Sequence, residues 1–130
     1  MWWLYYGGTP YNHHKLDTKR YMAIGLAQMP IGRVVSARCW GSQGSWTVGP
    51  VKLAGRELVV NAAICDHIRI TILDEQGKPI PGYTSQTIRG NHIELPVRWD
   101  DGKDWSSLAG RVVKLRFDMQ DAEVFGFKCR

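Results

Sequence analysis

Apolar and polar positions alternate with a period of two along much of this chain. Residues 67–73 set Ile68, Ile70 and Ile72 on one face and Arg69 and Thr71 on the other, the pattern of a strand with one buried face. Residues 91–99 repeat it through Ile93, Leu95, Val97 and Trp99. Residues 111–118 place Val113, Leu115 and Phe117 opposite Lys114, Arg116 and Asp118, and residues 123–129 alternate again up to Cys129. Shorter strand-like runs cover residues 2–6, 21–27, 33–40, 45–48, 51–53 and 56–62, with turn residues between them. Pro96 falls inside one of the runs. Proline has no N–H for a ladder, so it predicts an edge or a bulge there.

No segment sustains the 3.6-residue period of a helix. The best candidate is the short run DWSSLAG, residues 104–110, where Asp104 can cap a single turn and Gly110 can end it. Parallel strands need a crossover of a dozen or more residues, usually helical. With none available, the pattern predicts an all-β protein of about ten antiparallel strands, a sandwich or a barrel.

Length and charge narrow the function classes. At 130 residues the chain can bury a real core as one domain. No apolar run approaches a membrane span. The opening MWWLYYGGTP lacks the basic and apolar regions of a signal peptide. That fits a cytoplasmic protein and equally a piece of a longer exported one, which would be extracellular or periplasmic. The net charge of +5 comes from basic residues scattered singly. Nucleic-acid binders concentrate charge on one face or helix, so neither a nucleic acid nor a membrane is expected as a partner. Cys39, Cys65 and Cys129 form an odd set without a CxxC, so a structural zinc site is not expected. One disulfide with a free thiol and three reduced thiols both remain open.

The candidate chemistry is sparse. In TILDEQGKPIPGYT, residues 71–84, Asp74 and Glu75 are adjacent acids. Neighbours on a strand point to opposite faces, whereas paired glycosidase carboxylates converge from separate elements. Gly77, Pro79 and Pro81 support a loop tip instead. WDDGKD, residues 99–104, holds three acids around a glycine. No cofactor is expected overall, and this loop is the one place where calcium would find enough oxygen ligands, although the EF-hand spacing is missing. His13 and His14 are adjacent, His67 and His92 isolated, and no metal-binding motif joins them. Six tryptophans carry the most information. Trp99 continues a buried alternation and is expected in the core. Trp40 and Trp105 sit beside turn residues and are expected at the surface, where an indole face can stack on a sugar ring. With Asp100 and Asp101 as hydrogen-bonding neighbours, they form the carbohydrate-binding candidate.

Longer stretches resemble a known family. IRITILDEQGKPIPGYT, residues 68–84, and VRWDDGKDWSSLAGRVVKLRFDMQDAEVFGF, residues 97–127, are similar to the C-terminal concanavalin A-like sandwich of bacterial glycosidase-like proteins of the invertase/levanase clan. LYYGGTPYNHH and YMAIGLAQMP resemble the junction between that clan's five-bladed propeller and its sandwich, and GRVVSARCW resembles the first sandwich strand. Ile31 stands where an acid is usual, and Trp105 where a small aliphatic residue is usual. The resemblance implies a jelly-roll sandwich over residues 30–130, preceded by junction strands over residues 1–29. It places the clan's catalytic carboxylates on the propeller, so no catalytic residue carries over. The expected role is a non-catalytic, lectin-like accessory module that packs on a glycosidase catalytic domain, binds carbohydrate weakly, or both. The alternatives are a structural domain that self-associates and a small stand-alone glycoside hydrolase.

Overall fold

The computed structural model describes residues 1–9 and 22–130; His13 and His14 lie outside the described residues. The chain divides into two compact units, Met1–Val34 and Val35–Arg130.

The first unit is a two-stranded antiparallel ribbon. β1 (Trp2–Gly8) pairs with β2 (Ala23–Met29) from Trp2 opposite Met29 to Gly8 opposite Ala23. A two-stranded ribbon has no second layer, so consecutive side chains stay exposed on both of its faces. Trp3 is 57% exposed and Tyr5 71%, and Trp2, Leu4 and Tyr6 are exposed as well.

The second unit is a five-stranded antiparallel sheet made of β3 (Ala37–Lys52), β4 (Leu58–Leu73), β5 (Pro79–Thr84), β6 (Ile88–Pro96) and β7 (Val112–Cys129). β4 lies at the centre. β7 pairs along its whole length on one side, with β3 beyond. On the other side β6 pairs with the first part of β4 and β5 with the last. The all-β, antiparallel expectation therefore holds. Pro96 is the last residue of β6, which pairs only with β4, so it sits at an edge as its missing N–H requires.

The strands are fewer and longer than the alternation suggested. Residues 33–40, 45–48 and 51–53 read as separate runs, yet residues 37–52 form one strand. The same holds for β4 and β7. Bulges account for the apparent breaks. In β7 the buried positions are Val113, Leu115, Phe117 and Met119, then Ala122 and Val124. The phase flips at Asp121, the single non-glycine residue with positive φ (44°) among the described residues. Both neighbours carry extra residues at this point. The register of β3 shifts between Cys39 and Gln43, and that of β4 between Ile64 and His67. The Gly41 N–H donates to Asp121 Oδ1 at 2.6 Å, and Arg89 of β6 donates to the Asp66 carbonyl and carboxylate, both at 2.8 Å. Bulges bend a strand and increase its twist, and a row of them across the sheet lets both halves of each long strand face one core.

That core holds Ile68, Ile70, Ile72, Val113, Leu115 and Phe117, all buried as the alternation predicts. Phe117 stacks on Trp46 at 5.0 Å between ring centroids. Ser85 is the most buried polar side chain among the described residues; its Oγ accepts from Ile70 N–H and donates to the Gln86 carbonyl, so it leaves nothing unsatisfied. Residues 97–111 bring Val97, Trp99, Trp105 and Leu108 into the same core. The expected single helical turn is there as a 3-10 turn, Ser106–Leu108. Asp104 Oδ1 accepts from the Ser106 N–H at 3.0 Å. Gly110 adopts φ 80° and donates to the Leu53 carbonyl. The three cysteines are free thiols, Cys65 exposed and the other two half-buried.

Candidate functional site

The acid pair Asp74–Glu75 occupies a hairpin tip, as its turn residues predict. Asp74 Oδ1 accepts from the Lys78 N–H at 2.8 Å, and Gly77 donates to the Asp74 carbonyl at 3.0 Å. The Asp74 carboxylate serves its own turn.

The four carbohydrate-binding candidates do not form one surface. Trp40 lies in the β3 bulge opposite Asp121 and is 49% exposed, in line with expectation. Trp105 requires a correction: it is 0% exposed and offers no face to a ligand. The residue before the 3-10 turn faces inward, and its indole packs on Trp99 at 6.5 Å between centroids. Its Nε1–H donates to the Gly55 carbonyl at 3.2 Å, so burial leaves no polar group unsatisfied. Asp100 is ion-paired with Arg69 at 2.5 Å, and Asp101 with Lys103 at 3.3 Å. The Asp101–Lys103 pair rests against Gly82 of β5, whose absent side chain makes room: a Cβ there would meet both charged groups at 2.8 Å. No three His, Cys, Asp or Glu side chains converge as a cation site among the described residues, and the third loop acid, Asp104, is engaged by Ser106.

The acidic turn instead forms one wall of an open cleft of about 440 Å³. Gly102, Lys103 and Asp104 supply that wall, and Arg56 and Glu57 at the entry to β4 face it. The end of β6 contributes Pro96, followed by Val97, Arg98 and the nearly buried Trp99, with Gln86 beside them. Backbone bonds fix these walls. Val97 donates to Leu58 and Gln86 to Arg98, both at 2.8 Å, while Arg56 and Glu57 donate to the Arg130 carbonyl.

The charges in the cleft are unequally occupied. Glu57 is paired with Arg130 at 2.7 Å. The hydroxyl and N–H of Ser106 hold the Asp104 carboxyl below its ordinary value, with a smaller contribution through space from Arg56. A glycosidase general acid needs the opposite shift, upward toward neutrality. Arg56 and Arg98 make no side-chain hydrogen bond or ion pair among the described residues. Arg56, Gln86 and Arg98 went unread in the sequence because they are far apart along the chain. Only the pairing of β6 with the start of β4 brings them together.

Comparison of this chain with protein-family models, with curated proteins and with solved structures finds no match.

Proposed function

We propose that this chain is a non-catalytic accessory module of a glycosidase-like protein, a jelly-roll, concanavalin A-like sandwich that binds carbohydrate at the cleft beside the acidic turn. The observation that carries the reading is the cleft itself. It is an open site of about 440 Å³ with apolar surface from Pro96 and Val97 and polar groups at its rim, within the usual range of about 300–1,000 Å³ for small-molecule sites. Its carboxylates, Glu57 and Asp104, are engaged by Arg130 and Ser106, which supports a binding role. The resemblance of residues 68–84 and 97–127 supplies the glycosidase context. The test is affinity electrophoresis and reducing-sugar release on a panel of neutral and acidic polysaccharides. Retarded migration without sugar release is expected. Sugar release that disappears in Glu57→Gln would replace this reading with a hydrolase.

The second reading, a domain that covers its first unit by association with a copy of itself or with a catalytic domain, rests on a different observation. Trp3, Tyr5 and Ile24 are 57%, 71% and 83% exposed, and neighbouring exposed apolar side chains mark interaction sites. Sedimentation velocity across a concentration series would show self-association, lost in Trp3→Ser/Tyr5→Ser. A monomer at high concentration would remove self-association from this reading.

A further inference from the structure

Two guanidinium groups without a direct ion pair among the described residues line the cleft. Arg56 and Arg98 line the same cleft from two different strand ends, and neither has an ion-pair partner among the described residues. Of the acids beside them, Glu57 is ion-paired with Arg130, while Asp104 is hydrogen-bonded by Ser106 and acts on Arg56 only through space, without a direct ion pair. Lys103 adds a third cation, held only by an exposed pair with Asp101, and such pairs open at little cost. A guanidinium presents a planar fork that matches a carboxylate or a sulfate in a bidentate way. The walls are fixed by the backbone bonds of Gln86 to Arg98 and of Arg56 to Arg130, so both forks are carried on ordered chain. The Pro96 ring supplies an apolar face at the rim, and the Gln86 amide can both donate and accept.

We propose that this cleft binds an acidic glycan, whose carboxylate or sulfate is held by the Arg56 and Arg98 guanidinium groups while a sugar face lies on Pro96 and a hydroxyl bonds Gln86. The proposal rests on the carbohydrate-binding reading above and adds the charge of the ligand. It also gives the basic character of the chain a local use that scattered surface charge would not have.

The experiment is isothermal titration of the full chain at 0.15 M salt with three short oligosaccharides: a uronate oligomer, a sulfated oligomer and a neutral oligomer of matched length. The variants are Arg56→Gln, Arg98→Gln, Arg98→Lys and, as a charge control outside the cleft, Lys78→Gln. All three positions are exposed, so wild-type melting is expected. The acidic oligomers should bind more tightly than the neutral one, and whichever of the two is tighter identifies the anionic group. Each Arg→Gln change should weaken that binding about tenfold or more, the usual weight of a hydrogen bond between charged groups. Arg98→Lys should recover only part of it, because the ammonium lacks the fork, and Lys78→Gln should bind as wild type. Equal weakening in Lys78→Gln would reduce the effect to net charge and overturn the proposal. So would acidic binding indifferent to Arg56 and Arg98. Binding of the neutral oligomer alone would overturn the acidic preference and leave the carbohydrate reading standing. No binding of any oligomer would overturn both.

Discussion

Replacing Trp105 by alanine should cost this protein a large part of its stability, although its neighbours in sequence are turn residues. The indole is 0% exposed and packs on Trp99. A buried tryptophan removes on the order of 200 Å² from water, which at about 25 cal/mol per Å² bounds the loss near 5 kcal/mol. Large-to-small changes of this kind in cores cost about 3–5 kcal/mol. The Gly55 carbonyl also loses its indole donor, a penalty of about 1 kcal/mol or more within that total. For a unit of this size each kcal/mol lowers Tm by about 4–8 °C, so a drop of about 12–40 °C is expected. Urea unfolding followed by far-ultraviolet circular dichroism measures it without relying on tryptophan emission. Trp105→Phe keeps most of the ring and loses the N–H, and should cost about 1–2 kcal/mol. Trp40→Ala, at a half-exposed position, should fall within about 0.5 kcal/mol of wild type. A Trp105→Ala protein within about 1 kcal/mol of wild type at an unchanged m-value would refute the inward placement of the indole. So would a Trp40→Ala cost as large as that of Trp105→Ala.

Two further perturbations test the fold at other points. Gly55 has φ +69°, and a Cβ there would stand 2.0 Å from the Arg130 carbonyl carbon, whereas Gly77 has φ +86° and open space around it. Gly77→Ala should cost about 1–2 kcal/mol from the left-handed backbone alone, Gly55→Ala clearly more, and equal losses in urea melts would contradict the packing of the C-terminus on Gly55. Acid should destabilise the protein through three carboxyl groups whose pKa values lie below the ordinary 3.8 of Asp and 4.5 of Glu. Hydrogen bonds lower each one: from His67 and then Arg89 to Asp66, from Lys128 to Glu94 and from Ser106 to Asp104. Because the folded values are the lower ones, their stabilisation is complete above the unfolded values and is lost as pH falls through the folded ones. The Tm should hold from about pH 7 to pH 5 and drop below about pH 4, and an Asp66→Asn/Glu94→Gln/Asp104→Asn variant should show a shallower drop. An acid limb of wild-type steepness in that variant would count against these three groups.

Local sequence pattern was enough for the class of the fold and most of its interior. Period-two alternation is a local property, and it marked Ile68, Ile70, Ile72, Leu115 and Phe117 as one buried face because a pleated strand has no other way to sort them. Turn chemistry is equally local: Asp74 and Gly77 closed a hairpin, and Asp104 and Gly110 bounded a single turn. The rest depended on contacts between residues far apart along the chain. Alternation read as separate strands was continuous strand interrupted by bulges, since a bulge at Asp121 resets the phase without breaking the pairing. Trp105 read as exposed because its neighbours are polar, and its burial depends on a carbonyl 50 residues away at Gly55. Arg56 and Arg98 read as two among many scattered cations. They share a cleft only because β6 runs antiparallel to β4 and ends beside its start, a juxtaposition that no local pattern encodes.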